Sequence, residues 1–415
     1  MTPQDLTRVL EVTRHIAQGV ELPEVLAAVI ESGLAVTEAE RGSVFLHDEP
    51  AGELFMFVGT GVDGPAIRIP SDRGIVGETA QTRTTINIPD CYADPRFHAD
   101  TDKATGFRTR SMLSIPLVGL DRELVGVLQL LNHADGPFDA HHQQLAEALA
   151  DQAAVALQRA RLLEDRLAKQ RLEQEISIAR QIQEDVLPNE TPAVPGYEIA
   201  AHADPAEETG GDIYDLIPLP DGRICIFLAD ATGHGVGPAL SVTQARSMLR
   251  VGLRLDADPA TLLNDINAQL ANDLSATRFI TAFIGILDPA THTLTYAAPG
   301  QAPLVMLRVD GTADVRDATH MPLGILEDLP SEEAEPFGRH FAFDVGDMLL
   351  LLTDGFYEAQ NAAGEELDQG PLIVAASQPG SVADVLARLK NVVAAHVGDG
   401  PQTDDQTAVI LRRSH

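Results

Sequence analysis

Two hydrophobic periods alternate along the chain, and the changes from one to the other mark its parts. In "LPEVLAAVIESGLAV" (22–36) apolar residues recur at helical spacing, whereas "GSVFLHD" (42–48) and "ELFMFVG" (53–59) alternate like a hairpin around the turn-rich Glu49-Pro50-Ala51-Gly52. "TTINIP", "SMLSIPLVG" and "LVGVLQLLN" predict further strands, and a closing helix begins near Ala140. The first 155 residues therefore read as an α+β domain. From Ala140 to about Val186 there is neither Pro nor Gly. Ala153, Leu157, Ala160, Leu163 and Leu167, then Leu172, Ile176, Ala179, Ile182 and Val186, are spaced mostly by three or four, which predicts one long helix able to pair in parallel with a second copy. A step of five from Leu167 to Leu172 interrupts the heptads. Arg161 to Arg171 is charged nearly all round, which favours pairing over a helix lying on its own domain, and the prolines of "LPNETPAVPG" end it.

From Tyr197 to Leu411 strands and helices alternate again. "RICIFLAD" and "DMLLLLTD" are unbroken apolar runs that suit strands covered on both faces, "ALSVTQARSMLRVGL" and "DPATLLNDINAQLANDL" have the helical period, and "FITAFIGILD", "TLTYAAPG" and "TAVILRR" add strands. The expected organisation is residues 1–155 as a first domain, 156–190 as a coiled-coil helix and linker, and 191–415 as a second domain.

Composition narrows what such a chain can do. A 415-residue chain that is 44% hydrophobic can bury more than one core. With 62 acidic against 29 basic residues the formal net charge is −33, which argues against nucleic acid or an anionic membrane surface as partner and suits multivalent cations. Cys91 and Cys225 are the only cysteines, so neither a disulfide framework nor a thiolate zinc site is available. No apolar run is long enough to span a bilayer and the N-terminus lacks a leader pattern, so the expected location is cytoplasmic.

Four stretches of the second domain carry acid where a scaffold would not need it: "GGDIYD" (210–215), "ADATGHG" (229–235), "TDGFYE" (353–358) and "TDDQT" (403–407). Each alone also reads as a turn or helix entry. Asp230 and Asp354 both end a continuously apolar strand; if those strands are neighbours, their carboxylates meet near a core, where burial and repulsion are costly and a divalent cation removes the penalty. Clustered carboxylates without thiolates favour Mg2+ or Mn2+ over zinc. Two such ions would activate a water and hold a phosphoryl oxygen for in-line attack, which points to phosphate ester hydrolysis.

Residues 197–412 resemble the metal-dependent (PPM) Ser/Thr protein phosphatases of the RsbU-like and SpoIIE-like bacterial branch. The resemblance is carried by "ARQIQEDVLP", by the four acidic motifs in order, by "FITAFIGILDPATHTLTYA" and by "MPLGI". It implies an α-β-β-α sandwich with a binuclear Mn2+ or Mg2+ centre. Asp230 would bridge both ions, the Ala231 carbonyl would complete one shell, Asp354 and Asp404 would bind the second ion, and Asp212 would act directly or through water. Asp215 and Asp405 are adjacent carboxylates read as outer or surface groups, and Gly355 is read as the residue that lets the chain turn away after Asp354. His234 is either a general acid for the leaving seryl oxygen or a turn residue. No arginine stands beside these motifs, so the metals are expected to do most of the phosphate binding. Gln301 and Ala302 stand where relatives carry His and Asn of "AGHNP", which bears on substrate handling or loop position rather than on ligands.

Residues 6–158 resemble a GAF domain through "LPEVLAAVIESGLAVTEAERGSVFLHDE", "GIVGETAQTRTTINIPD" and "GFRTRSMLSIPLVGLDRELVGVLQLLN". Asn132 and Phe138 of the cyclic-nucleotide-binding pattern persist, but His133, His142 and Gln143 replace its Lys, Asp and Glu, so the ligand of this domain is unassigned; Cys91 and His98 are read as inert rather than as bilin or haem ligands. Together these readings describe a signal-regulated phosphatase acting, by family resemblance, on a phosphorylated STAS-type anti-sigma-factor antagonist, and working as a homodimer through its helix. The rival readings are a scaffold without activity and a hydrolase of small phosphate esters.

Overall fold

The computed structural model describes residues 14, 16, 21–48, 50–59, 68–99, 102–103, 106–275, 277–329 and 337–415, so the N-terminal segment inspected for a leader lies mostly outside the described residues. Two compact units divide the chain, residues 1–171 and 172–415.

The first unit is one antiparallel sheet between helical layers. Its elements are α1 (Leu22–Thr37), β1 (Ala39–Asp48), β2 (Glu53–Gly59), β3 (Arg68–Pro70), α2 (Gly74–Thr82), β4 (Ile86–Ile88), β5 (Met112–Val118) and β6 (Leu124–His133), with sheet order β3-β2-β1-β6-β5-β4. The hairpin pairs His47 with Leu54 and Asp48 with Glu53, as the alternation predicts. Val44, Leu46, Leu113, Ile115, Leu128 and Leu130 face a core completed by α1 and the following long helix, whereas Phe45, Met56 and Val127 turn to the opposite face against α2. That is the period-two alternation of strands with both faces covered.

The long helix α3 runs Ala140–Val186, as the absence of Pro and Gly predicts, and the division between the units falls inside it. The expected pairing seam does not stay on one free face. Ala153, Leu157 and Ala160 are buried in the first unit's own core, and Ile176, Ala179 and Val186 are half-buried, while Leu163, Leu167, Leu172, Ile178 and Ile182 are exposed. The chain's own domains claim part of the stripe, because a helix of 3.6 residues per turn rotates any long apolar row past more than one neighbour.

In the second unit, sheets of order β14-β11-β10-β9-β8 and β13-β12-β15-β16-β7 pack face to face. The strands are β7 (Tyr197–Asp204), β8 (Asp212–Pro218), β9 (Ile224–Ala231), β10 (Ile280–Asp288), β11 (Thr293–Ala297), β12 (Leu304–Leu307), β13 (Ala313–Arg316), β14 (Arg339–Ala342), β15 (Met348–Leu352) and β16 (Gln406–Arg413). Helices α4 (Val236–Arg254) and α5 (Pro259–Asp273) cover the first sheet; after the one-turn α6 (Asp354–Tyr357), α7 (Gln369–Ala376) and α8 (Val382–Val397) cover the second. The continuous apolar runs follow from this layering. Ile226 and Leu228 point between the sheets while Cys225, Phe227 and Ala229 meet α4 and α5; Leu349 and Leu351 point between the sheets while Met348, Leu350 and Leu352 meet the helices on the far side. β9 and β15 are not neighbours, contrary to the simplest placement of Asp230 beside Asp354: they lie in different sheets. An unbroken apolar run reports that both faces are covered and says nothing about which strand lies alongside.

Candidate metal centre

The acidic motifs gather where the strand ends of the two sheets converge. β8 opens at Asp212, directly opposite Asp230 at the end of β9. From the other sheet, Thr353 follows β15; its amide donates to the Thr407 carbonyl at 3.0 Å and its hydroxyl donates to Asp212 Oδ2 at 2.7 Å. Thr353 thus ties the sheets together just before Asp354, which opens α6. Asp405 holds the loop beneath: its carboxylate accepts from the Ala206 amide at 2.8 Å and the Asp212 amide at 3.3 Å. Asp404 stands exposed on the rim and accepts the Asp405 amide at 2.8 Å.

Two glycines are there for close approach. A Cβ on Gly211 would lie 2.6 Å from the Ala231 carbonyl oxygen, 3.2 Å from Asp230 Oδ1 and 3.3 Å from the Gly233 carbonyl oxygen, so only glycine leaves this oxygen-lined hollow open. On Gly355 a Cβ would overlap the Asp405 carbonyl. Its role is thus to let α6 press on the "TDDQT" strand entry, not to turn the chain through a left-handed conformation, since it is absent from the positive-φ glycines.

Burial and like charge act on these acids in the same direction. Asp212 is pushed well above the ordinary carboxylate range, first by burial and then by Asp230 and Asp405. Asp230 is pushed up to about 7 by burial and by Asp354, Asp404 and Asp405, and Asp354 up to about 6 by burial, Asp404 and Glu358. Asp404 is raised by desolvation of its inner side and by Asp405. Among the described residues no three acidic, imidazole or thiol groups already close on a single point. What the fold provides is four carboxylates sharing one field, with carbonyl oxygens beside them. All are hard oxygen donors, which fits Mg2+ or Mn2+ and not zinc.

The carboxyls of Asp230 and Asp354 have folded pKa values above the ordinary 3.8, so the folded state holds their protons more tightly than the unfolded chain. Their stabilising contribution is complete below about pH 4 and is lost as pH rises through about 6 to 7. In chelator, the melting temperature of this domain is expected to fall between pH 5 and pH 8, and millimolar Mn2+ to reverse the loss. A melting temperature independent of both pH and Mn2+ over that range would show that the acids are not coupled in this way.

Other residues fall elsewhere. Asp215 is fully buried and points away from Asp212 toward α4, where Arg246 Nε lies at 2.8 Å and Arg250 contacts both carboxylate oxygens at 2.5 Å and 2.7 Å. It is neither a surface group nor a neighbour of the centre, because an offset of three along a strand puts two side chains on opposite faces. His234 is exposed on the loop after Asp230, its Nδ1 at 3.0 Å from Glu207 Oε2. Gln301, in place of the family's His, is buried and donates to the Leu352 carbonyl at 2.9 Å, so it pins the end of β15 immediately before Thr353 and Asp354. Tyr357 donates to the Ala302 carbonyl at 2.7 Å. These contacts give Gln301 and Ala302 a place in holding the strand end, which only their position relative to β15 reveals. Gln183 of "ARQIQEDVLP" donates to the Gly210 carbonyl at 2.7 Å and accepts the Gly210 amide at 3.1 Å, so the last turns of α3 are keyed to the loop that leads into Asp212.

In the first unit, Asn132 sits at φ 56° and is wholly buried, accepting the amides of Arg110 and Ser111 and donating to Glu40 and the Arg108 carbonyl. It is a backbone strap. Where cyclic-nucleotide binders carry Lys and Asp, the rings of His133 and His142 lie tilted against each other at 46°, centroids 4.3 Å apart. The Cys91 thiol is buried and pushed up to about 12 by that burial, the opposite of a reactive thiolate.

The layered α-β-β-α sandwich defines the second unit as a domain of the PPM phosphatase class. Comparison with known proteins agrees. The family model for stage II sporulation protein E (SpoIIE) matches residues 220–414 and the GAF model matches residues 21–157. Protein IcfG of Synechocystis sp. is 26% identical over 274 residues, 58% of this chain and 42% of that protein. Phosphoserine phosphatase RsbU of Bacillus subtilis is 27% identical over 254 residues, 59% of this chain and 72% of that protein. The solved SiaA-PP2C domain of Pseudomonas aeruginosa, 19% identical, covers 59% of this chain and 98% of its own with a TM-score of 0.50, a likeness of fold. Residues 21–157 are thus a GAF domain, followed over residues 220–414 by a PPM phosphatase domain that matches the SpoIIE family. It spans less than half the length of the first of these relatives. Among the described residues no helix is long and apolar enough to cross a membrane.

Proposed function

We propose that the protein is a signal-regulated, metal-dependent phosphoserine/phosphothreonine phosphatase, with residues 1–155 as sensor, 156–190 as signalling helix and 191–415 as catalytic domain. The observation that carries this reading is the convergence of Asp212, Asp230, Asp354 and Asp404 from two sheets, all pushed toward protonation by burial and then by neighbouring carboxylates. Two Mn2+ or Mg2+ ions held there would supply an activated water and a charge clamp on the phosphoryl oxygens. Asp230, central to the group, would serve both ions; Asp354 and Asp404 would serve the second; the Ala231 carbonyl and Asp212 would complete the first. Thr353 and Asp405 orient Asp212, and Gln301 fixes the strand end that carries Asp354. His234, exposed and 3.0 Å from Glu207, would protonate the departing seryl oxygen.

The similarity to phosphoserine phosphatase RsbU favours a protein substrate, a phosphorylated STAS-type antagonist in a partner-switching pathway, acted on in the cytoplasm. Control would pass from the GAF domain along α3 to the Gln183–Gly210 contact, with the exposed residues of α3 pairing in a homodimer. The test is release of phosphate from a phosphoseryl STAS protein and from a small aryl phosphate, with Mn2+ and with chelator. Metal-dependent turnover, faster by kcat/KM on the protein, is the expected result. Turnover of the aryl phosphate alone would point to a small-ester hydrolase, and silence on both substrates to a scaffold.

A further inference from the structure

We propose that Arg278 is a substrate-binding residue that receives the phosphoryl oxyanion at the mouth of the carboxylate centre; the proposal rests on the phosphatase reading above. The sequence places no arginine beside the acidic motifs, and the fold brings one there. β10 runs antiparallel to β9 with Thr281 opposite Asp230 and Ile280 opposite Ala231. The ladder continues beyond Ile280: the Thr232 amide donates to the Phe279 carbonyl at 3.1 Å, and the Phe279 amide donates to Thr232 Oγ1 at 3.2 Å. Arg278 is therefore held beside the loop that follows the Asp230-Ala231 pair. Its guanidinium lies over Gly237 in the first turn of α4, where a Cβ would stand 2.8 Å from Nη1 and 2.9 Å from Nη2. A glycine at this position is what leaves room for the guanidinium.

Among the described residues nothing explains this cation as a structural group. Among the described residues no carboxylate or carbonyl takes a bond from the Arg278 side chain, which is exposed, although the chain has 62 acidic residues to 29 basic. Elsewhere in the same domain Arg246, Arg250, Arg308, Arg316 and Arg412 each have a carboxylate partner. A guanidinium at the start of a helix also meets the positive end of the helix dipole. An anion arriving between them reverses the sign of both effects. A phosphate monoester brought to Asp230 and Asp354 through their cations has oxygens left for a forked donor at the rim, which is the geometry a guanidinium satisfies and an ammonium does not.

The test uses the full chain and the variants Arg278→Ala, Arg278→Lys and Gly237→Ala. Mn2+-dependent hydrolysis of p-nitrophenyl phosphate gives KM and kcat, and calorimetry with inorganic phosphate on the Mn2+-loaded protein reads the same contact without turnover. Arg278→Ala is expected to raise both KM and the phosphate dissociation constant by about tenfold, the scale of one charge-assisted hydrogen-bonded contact. Its melting temperature and the Mn2+ concentration for half-activation should stay as in the wild type. Lys should restore part of the loss, and Gly237→Ala, by displacing the guanidinium, should reproduce part of it. Unchanged KM and phosphate affinity in Arg278→Ala would overturn the proposal, and so would a lowered melting temperature with loss in kcat alone, which would make the residue structural. Phosphate binding that depends on Arg278 in a protein without turnover would retain this site and remove the phosphatase reading instead.

Discussion

Asp230→Asn is expected to reduce metal-dependent phosphate release by on the order of a thousandfold, the scale seen when a preorganised electrostatic group is removed from an active site. The Asp230 carboxyl is raised first by burial and then by Asp354, Asp404 and Asp405, so it stands at the centre of the acidic field. An amide keeps the shape and removes the charge on which both proposed ions depend. The same substitution should raise the melting temperature of the chelated protein at pH 7.5, because it removes a buried carboxylate from among like charges. Opposite signs for activity and metal-free stability are the signature of a group retained for binding at a cost in stability. Parallel melting curves in chelator and steady-state rates in Mn2+ check both halves; a variant that lost stability along with activity would assign Asp230 to the scaffold.

The largest effect on stability is expected at a carboxylate outside the centre. Asp215→Ala leaves Arg246 and Arg250 facing each other without the buried anion that holds them, and breaking such a pair costs about 3–5 kcal/mol. Arg246 is largely buried, with 11% of its side chain accessible, whereas Arg250 at 36% can turn partly to water, so the lower end of that range is expected. Urea unfolding followed on the transition of the phosphatase domain measures it. Loss below about 1 kcal/mol would show that both arginines find solvent at little cost. Since Asp215 lies on the strand that begins at Asp212, and α4 begins just after the Asp230 loop, the pair also fixes the helix against the sheet that presents two of the acids.

The GAF half was legible mainly as a fold. Its hairpin, main strands and outer helices were readable because each buries a face at its own period, whereas α2, β3 and the ligand were not, since Asn132 straps the backbone and the His133 and His142 rings lie tilted against each other. In the phosphatase half the acids themselves were readable: an aspartate at the end of a run such as Met348–Leu352 has no reason to be there if only packing mattered. Residues that act through contacts far along the chain were not. Gln301 reads as a departure from the family pattern and becomes a strand anchor only once Leu352 lies beside it; Asp215 reads as a second acid of one motif and becomes half of a buried ion pair once α4 covers its face.

Local pattern by itself therefore determined the longer elements, among them β9, β10, β15, β16, α4, α5 and the uninterrupted helix from Ala140 to Val186, together with the candidate acids, whereas β7, β8, β12 to β14, α7 and α8 were not read from it. Those properties depend on periodicity and on residues near one another along the chain, which a sequence displays directly. Only the tertiary structure decided that Asp230 and Asp354 meet from different sheets, that the last turns of α3 are keyed to Gly210, and that Arg278 stands at Gly237. Each of these depends on strand register and layer order, and a one-residue shift in either would have brought different side chains together from the same pattern of apolar and polar positions.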